Sequence, residues 1–327
     1  MSFNIVRFKS DNTIQWGFVK EENVILIDGM NNKSLPEFIK DNGIESAKEL
    51  SKKSFSKNKL LKLDSAEILS PVTYPCSIIC QGKNYSSHIK EIGGTQPVKR
   101  FTNILFTKAA SSLTNPNGPV YKPKNVQLLD YELELGFIIG KRINKTERIT
   151  KENLNEFIAG IVMSNDVSAR DIQIPEEQWF HGKSFRSFCP TGPYLCVLES
   201  EEIEKLGELK LELFVNQQKR QSAFVNEMNI PIYDTLTLLS SFMDLEVGDL
   251  ILTGTPSGVG LQIKNNFVTK LAGLFFSEQK LNEKFIEIQL KSNRYLKNGD
   301  IVTSTISTKD ETISLGKQEF KILDAND

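Results

Sequence analysis

Apolar and polar residues alternate along much of this chain, in runs short enough to form β-strands. Near the start, such runs lie at 4–8, 16–19 and 23–28 and are separated by polar turns. Beyond residue 70 the runs are rich in β-branched and aromatic residues, with Gly, Pro, Asn and Asp between them. These later runs are CSIICQG, NILFTK, YELELGFIIG, GIVMSND, LKLELFVN, DLILTGT, FIEIQL and DIVTSTI. The pattern predicts a strand-dominated α+β fold.

The first 70 residues differ in pattern from the rest of the chain. After the early strands, residues 34–43 predict a short helix that Gly43 ends, and residues 45–60 are rich in Lys, Ser and Glu, as in a solvated helix or linker. We therefore predict a small N-terminal α/β domain over 1–70 and a larger domain over 71–327.

Two helices are predicted inside the larger domain. One spans 151–160, with Thr150 as its N-cap. The other spans about 231–244, where apolar residues recur at helical spacing. That apolar stripe is interpreted as core packing, and it consists of Ile232, Leu236, Leu239 and Phe242.

Charge and composition exclude several classes of partner. The 40 Lys and Arg residues nearly balance the 41 Asp and Glu residues, so we expect neither a nucleic-acid nor a polybasic membrane partner. The first 20 residues lack the apolar core of a signal peptide, and no stretch approaches the roughly 18 apolar residues of a membrane span. We therefore expect a cytosolic protein. Its four cysteines have no metal-type spacing and are interpreted as buried or semi-buried thiols.

The segment LLDYELELGFIIG carries the first candidate chemistry. Alternate side chains of a strand share a face, so Glu132 and Glu134 point the same way while Leu133 and Leu135 point the other. Their backbones lie about 6–7 Å apart, a gap across which both carboxylates can bind one hard cation. A half-solvated strand would show the same pattern, and this segment alone does not decide between the two.

A second segment favours the metal site. The apolar strand before Asp166 ends abruptly in that acid, and a carboxylate at the mouth of a buried strand is costly unless it is paired or bound to a metal. Further along, WFHGKSFR brings His181, Lys183 and Arg186 into one segment. The strand DLILTGT leads into a Gly-rich loop whose N–H groups can hold a substrate carboxylate, although a tight turn would look the same.

The chain has two histidines, His88 and His181, and both lie in polar, Gly-containing segments that we expect to be loops. Glu91 follows His88 by three residues, so on a helix the two side chains would share a face. Such a pair can activate a water molecule, with the carboxylate orienting the imidazole. A surface histidine is the other interpretation of this spacing.

Taken together, these segments resemble the fumarylacetoacetate hydrolase family. The resemblance runs in order through GKNYSSH, DYELELGFIIG, AGIVMSNDVSARDIQ, WFHGKSF with CPTGPYL, VNQQKRQ, GDLILTGTPSGVG and LKNGDIV, over about 75–305. It implies a mixed β-sheet roll, often dimeric, that binds one Mg²⁺ or Mn²⁺ per chain and acts on a small carboxylic acid. The strands over 3–28 resemble the small N-terminal domain of many relatives.

The resemblance also implies roles for individual residues. The metal ligands that it implies are Glu132, Glu134 and Asp166. The catalytic residues are Lys183, which supports the substrate, and the lid pair of His88 and Glu91, which activates water. The residues lining the substrate site are Arg170, Gln173, Gly254 and Thr255.

Three features depart from the family pattern. Arg186 stands where many relatives have an aspartate, so it either favours a more anionic substrate or faces solvent. An insertion over about 261–295 contains FVTKLAGLFF and FIEIQL, and we expect an extra strand or helix pair that forms an interface or covers the site. The fourth acidic ligand of the larger hydrolases is missing beside Gln81 and Gly82.

Three functional hypotheses follow from these residues. The first is a divalent-metal-dependent hydrolase or lyase that cleaves a C–C bond in a small 2-oxo or β-diketo acid. The second is a hydratase or decarboxylase of a 2-oxo acid, such as an oxaloacetate-like acid, or a dehydratase of a sugar-derived acid. The third is a homologue that binds metal and carboxylate without catalysis, because a fold does not guarantee a chemistry.

Overall fold

Strands dominate the structure, a computed structural model that describes residues 1–10, 12–53, 61–63, 66–93, 102–263 and 278–325. Numbered along the chain, the strands are β1 Phe3–Ser10, β2 Thr13–Lys20, β3 Asn23–Leu26, β4 Leu61–Lys62, β5 Glu67–Leu69, β6 Ile78–Gly82, β7 Ile104–Lys108, β8 Leu113–Thr114, β9 Val120–Lys122, β10 Leu129–Asp130, β11 Leu133–Ile139, β12 Ile158–Asn165, β13 Ser168–Ala169, β14 Cys189–Pro190, β15 Tyr194–Val197, β16 Lys210–Val215, β17 Gln218–Phe224, β18 Leu250–Leu252, β19 Ile301–Ser307 and β20 Ser314–Asp324. The strand-dominated α+β fold is confirmed.

The helices are short and lie between these strands. They are α1 Leu35–Lys40, α2 Gly43–Ser51, α3 Ser86–Glu91, α4 Arg170–Glu176, α5 Trp179–Lys183, α6 Ile232–Ser240 and α7 Glu278–Leu290. Turns of 3₁₀-helix are found at Ala110–Ser112, Leu154–Glu156, Ser200–Glu208 and Val225–Glu227.

Two large sheets organise the described part of the chain. The larger has the order β4-β3-β2-β1-β15-β12-β11-β18-β6-β7, with β5 paired to β1. Most of its neighbours are antiparallel, but β18 runs parallel to β6, so the sheet is mixed. The second sheet has the order β17-β16-β19-β20-β9.

The central strand β11 has a different core on each of its faces. Leu133, Leu135 and Phe137 pack into a core that includes residues of the second sheet, while Ile138 belongs to a core shared with the N-terminal strands and helices. This alternation is the period of two expected of a strand buried on both sides. It leaves Glu134 on the face opposite to its Leu neighbours.

The N-terminal strands are part of the larger sheet. β1 pairs with β15 in antiparallel register, with Phe3 opposite Val197 and Val6 opposite Tyr194. Hydrogen bonding therefore continues from the first strands into the rest of the fold. The division into domains at residue 70 stays a prediction.

The helix predicted at 151–160 is wrong. The chain forms one 3₁₀ turn at Leu154–Glu156 and then enters β12 at Ile158. Its Thr150 does not cap a helix; instead the Thr150 N–H donates to the Asn153 side chain. A short isolated helix is marginal, so pairing of β12 with β11 along seven residue positions outweighs the local helical tendency.

The run FIEIQL is also helical, against the strand predicted for it. It lies in α7, where Leu281 and Phe285 are half-buried and Gln289 is buried, at a spacing of four residues. Ile288 and Leu290, which a strand pattern would have counted as core, are exposed. The other run predicted for the insertion, FVTKLAGLFF, lies outside the described residues.

Smaller differences concern the other helices. The first predicted helix ends at Lys40, and Gly43 begins α2 because Asn42 makes the turn with a left-handed φ of 61°. His88 and His181 lie on the short helices α3 and α5, so the predicted loops are wrong at both positions. The helix over 232–240 is confirmed, but Phe242 lies beyond its end and is exposed.

Candidate active site

Three carboxylates meet where β11 begins and β12 ends. Antiparallel pairing places Leu133 opposite Asn165, and the Asp166 N–H donates to the Glu132 carbonyl at 2.8 Å. That register brings the Asp166 side chain beside Glu132 and Glu134, with one oxygen of each within 4.8 Å of the others. The structure thus brings together the three residues predicted to be metal ligands.

The donor set of this cluster fits a hard divalent cation. All three carboxylates are almost fully buried, and oxygen-only ligation suits Mg²⁺ or Mn²⁺. Burial raises the pKa of Glu134 well above its usual range, and the negative charges of Asp166 and Glu132 raise it further. A bound cation would relieve this crowding of like charges.

Two buried cations already neutralise part of the cluster. The Lys183 ammonium donates to Glu132 at 2.6 Å and to Asp166 at 2.5 Å, and the Arg170 guanidinium donates to Glu132 at 2.5 Å. Burial acts to raise the pKa of Glu132, but Arg170 and Lys183 outweigh it and hold that pKa below its usual value. Lys183 therefore lies beside the carboxylates, and its support of the substrate stays a prediction.

Arg170 is itself held by two further groups. Its Nε donates to Asp130 at 2.8 Å, and one terminal nitrogen donates to the side-chain amide oxygen of Gln173 at 2.8 Å. Asp130 is fully buried and also accepts the backbone N–H groups of Gly260 and Leu261 at 2.7 and 3.0 Å. The sequence analysis missed this carboxylate. Asp130 connects the loop at 260–261 to the Arg170 guanidinium, which also donates to Glu132.

Lys108 is a second residue that the sequence analysis missed. It ends β7, its side chain is fully buried, and its ammonium donates to Asp166 at 2.5 Å and to the Val167 carbonyl at 3.3 Å. The available signal was a charge at the end of an apolar strand, the same signal that singled out Asp166. Asp166 thus lies between two lysines.

We expect Lys108→Met to lower the free energy of unfolding of the metal-free protein by about 2–3 kcal/mol. The reason is that Asp166 would remain buried with one of its two cations removed. Urea denaturation in the presence of a chelator measures the change. Adding Asp166→Asn should restore part of the loss, and Lys321→Met, which removes an exposed lysine of β20, is the matched control. A Lys108 variant as stable as that control would contradict the pairing.

His88 and Glu91 form a pair on α3. The His88 Nδ1 lies 3.8 Å from a Glu91 carboxylate oxygen, and His88 is buried, with 6% of its surface exposed. Glu91 is fixed by the Gly258 N–H at 2.9 Å and by the Gln262 side chain at 3.1 Å. Burial raises the pKa of Glu91, but the adjacent His88, Gly258 and Gln262 outweigh it and lower that pKa. The predicted spacing on one helix face is thus observed.

The Gly254–Thr255 loop is hydrogen-bonded to β11. The Gly254 N–H donates to Glu134 at 2.8 Å, and the Thr255 hydroxyl donates to the Leu133 carbonyl at 3.0 Å. Gln221 also donates to that hydroxyl and accepts from the Leu133 N–H, so it joins the loop to β11. The binding of a substrate carboxylate by this loop stays a prediction.

One cavity of about 180 Å³ collects most of these residues. Its modest size suits a small acid. The predicted site residues in its wall are His88, Glu132, Glu134, Arg170, Gln173, Lys183 and Thr255. Asp166, Glu91 and Gly254 touch this group through the contacts given above.

Gln81 lies in the cavity wall where a fourth acidic ligand was sought. Its amide nitrogen donates to the Asn103 oxygen at 3.2 Å, and Asn103 in turn donates to the Thr235 hydroxyl at 2.9 Å. The Gln81 amide oxygen is buried and accepts no hydrogen bond from the described residues. Gln81 is therefore a neutral acceptor in the wall and not an acid.

The structure locates two of the features that depart from the family pattern, Arg186 and the insertion. Arg186 is exposed and does not belong to the residues that line the cavity, so of the two interpretations it faces solvent. The described part of the insertion covers the site, because Leu261 and Ile263 line the cavity. The Gln289 side chain of α7 donates to the Gln262 carbonyl at 2.8 Å and fixes this cover.

Within the described residues, no helix has both the length and the apolar character that crossing a membrane requires. The four cysteines are free thiols, and Cys80, Cys189 and Cys196 are buried, as predicted.

Comparison with known proteins identifies relatives of this chain. The family model for the C-terminal region of fumarylacetoacetate (FAA) hydrolase matches residues 77–322. Oxaloacetate tautomerase fahd2 of Xenopus laevis is 36% identical over 220 residues, which cover 66% of either chain. Oxaloacetate tautomerase YisK of Bacillus subtilis is 37% identical over 203 residues, which cover 62% of this chain and 65% of the relative. These curated relatives are thus matched over somewhat less than two thirds of their length.

Solved structures match over nearly the whole chain. The fumarylacetoacetate hydrolase of Exiguobacterium antarcticum has a TM-score of 0.72 at 29% identity, covering 99% of this chain and 100% of that one. A probable 2-hydroxyhepta-2,4-diene-1,7-dioate isomerase from Mycobacterium abscessus has a TM-score of 0.72 at 26% identity, covering 100% of both chains.

Proposed function

Because this chain belongs to the fumarylacetoacetate hydrolase family, we propose that it interconverts the enol and keto forms of a small 2-oxo acid with one divalent cation. The observation that carries the proposal is the placement of His88. A buried imidazole, backed by Glu91, lies in the wall of the cavity that contains the carboxylate cluster. A proton-transfer group and a cation site therefore share one small space.

The reaction needs two proton movements and consumes no water. A proton leaves the enol oxygen, and a proton is added to the neighbouring carbon. His88 is the group placed to carry a proton, and a Glu91 carboxylate oxygen lies 3.8 Å from its Nδ1. A cation held by Glu132, Glu134 and Asp166 would supply Lewis-acid stabilisation of the negative charge that develops on the oxygen. The Lys183 ammonium, which pairs with Glu132 and Asp166, adds a fixed positive charge at the same site.

The names of the relatives support this choice. Two of them, at 36% and 37% identity, are named oxaloacetate tautomerases. Oxaloacetate has the 2-oxo acid group that the cation would bind. Since those relatives are matched over less than two thirds of their length, the activity of this chain remains our proposal. The homodimer and the cytosolic location expected from the sequence likewise stay predictions.

A second candidate is C–C hydrolysis of an acylpyruvate, the first hypothesis from the sequence. Its support is that Glu91 is fixed by Gly258 and Gln262 and lies 3.8 Å from the His88 imidazole, an acid–base pair that could activate water. It also draws on the 29% identity to a fumarylacetoacetate hydrolase over 99% of this chain.

We expect the purified protein to accelerate loss of the oxaloacetate enol absorbance in the presence of Mg²⁺ or Mn²⁺. Chelator should remove the acceleration, and either cation should restore it, because three crowded carboxylates cannot supply the Lewis acid themselves. Product analysis separates the candidates. Cleavage of an acylpyruvate to pyruvate and a second acid would favour hydrolysis, and carbon dioxide from oxaloacetate would favour decarboxylation. Cation binding by calorimetry without turnover of any of these acids would overturn both candidates and leave a binding protein.

A further inference from the structure

Lys83 lies in the wall of the cavity and is exposed to solvent, so it is near the cavity mouth. It follows β6 directly and has a φ of 57°, a left-handed conformation that is uncommon outside glycine. Its ammonium lies 5.9 Å from the centroid of the Trp179 ring, which also lines the cavity. The backbone thus holds this lysine in a sterically uncommon conformation at the entrance to the site.

The Trp179 ring beside Lys83 is fixed by close packing. A Cβ on Gly82 would lie 2.5 Å from the ring, so the glycine allows the indole to rest against the backbone just before Lys83. Phe106 packs on the ring edge-to-face, with the centroids 5.0 Å apart. Lys83 and Trp179 therefore form one continuous surface, in which packing fixes the indole ring.

The other cations in this cavity are already committed. Arg170 is bonded to Asp130 and Glu132, and Lys183 to Glu132 and Asp166. With Lys108 included, three buried cations face four buried carboxylates, those of Asp130, Glu132, Glu134 and Asp166. The buried end of the site therefore has no surplus of protein positive charge for an additional anion.

Lys83 differs from these cations in having no carboxylate partner. Among the described residues, no Asp or Glu oxygen lies within ion-pair distance of its ammonium. Several other partly exposed residues of the cavity wall are apolar: Ile92, Ile174 and Ile263. An anionic group at this end of a ligand would meet Lys83 and otherwise mostly apolar surface.

We propose that Lys83 and Trp179 form the subsite that receives the second carboxylate of a 2-oxo dicarboxylic acid. This inference rests on the proposed function, because it assigns the 2-oxo acid end of the substrate to the cation at the carboxylate cluster. The remote carboxylate then accepts a charge-assisted hydrogen bond from the Lys83 ammonium. Its aliphatic neighbours lie along the indole face.

Two ligands of equal chain length test the subsite: 2-oxoglutarate, which has a terminal carboxylate, and 2-oxopentanoate, which lacks it. Binding is measured by calorimetry with saturating Mg²⁺. Wild-type protein should bind the dicarboxylate more tightly. Lys83→Met should weaken 2-oxoglutarate binding about tenfold and leave 2-oxopentanoate unchanged. Lys83→Arg keeps the positive charge, and arginine carries the same backbone strain as lysine at this φ. This variant should keep most of the preference for the dicarboxylate.

The control variant is Lys90→Met, which removes an exposed lysine of α3 that does not line the cavity. It should bind both acids as wild type does. Equal weakening of the two acids in Lys83→Met, or no weakening of either, would overturn the subsite. The enol–keto assay is independent of this result. A protein without oxaloacetate turnover that still shows the Lys83-dependent preference would refute the proposed function and keep the subsite.

Discussion

Glu132→Gln should reduce metal-dependent turnover about a thousandfold, a loss of about 4 kcal/mol of transition-state stabilisation at 1.4 kcal/mol per tenfold. The substitution removes one of three anionic oxygen ligands from the cluster. It also leaves Arg170 and Lys183, which both donate to Glu132, facing a neutral amide. The site would then have a lower affinity for a divalent cation, because three buried cations would face only three buried carboxylates.

Two measurements check this expectation. Calorimetric titration with Mn²⁺ should show loss of binding, and the enol–keto assay should show a residual rate that no longer responds to chelator. Glu319→Gln is the matched control, since it removes an exposed carboxylate that also pairs with a lysine, at 2.7 Å. If Glu132→Gln bound Mn²⁺ and turned over substrate as this control does, the metal site would be elsewhere.

His88→Asn should lower kcat by about a hundredfold to ten-thousandfold, the usual contribution of a positioned acid or base. Cation binding should stay at the wild-type level, because the three candidate metal ligands are carboxylates and His88 is not among them. This separates a proton-transfer role from a role in assembling the site. Wild-type turnover by His88→Asn would contradict the proposal.

Glu91→Gln tests the other member of the His88–Glu91 pair. Glu91 contacts His88 and is held by Gly258 and Gln262, so we interpret it as a positioning residue. Its replacement should lower kcat about tenfold, as is typical of groups that orient a functional side chain. It should also shift the pH profile of kcat, which a merely structural change would not do. The two substitutions together should cost less than the product of their separate effects.

Local periodicity was enough to predict much of the fold and part of the site. The alternation in LELGFII places Leu133 and Leu135 in one core and Glu134 on the opposite face. The i, i+3 spacing of His88 and Glu91 places both on one side of α3. These predictions hold because the period of a strand or a helix is a property of the backbone itself.

Local pattern failed where long-range pairing or burial decided the outcome. Residues 151–160 follow Thr150, a residue typical of an N-cap, yet Ile158 onwards pairs with β11. FIEIQL alternates like a strand, yet the less exposed positions of α7 recur at helical spacing: Leu281, Asn282, Phe285, Ile286 and Gln289. A short window cannot weigh its own tendency against contacts made by distant segments.

By itself, the sequence determined the strand-dominated fold and the residue types of the site: Glu132, Glu134, Asp166 and Lys183. Only the tertiary structure decided which charge faces which. Lys108 meets Asp166 across 58 residues of chain, and Asp130 meets the Leu261 N–H across 131. A charge at the end of an apolar strand marks Lys108 as unusual, but its burial and its partner depend on where β7 and β12 end in space. A buried charge must find a partner, but which partner it finds is set by the packing of the whole sheet.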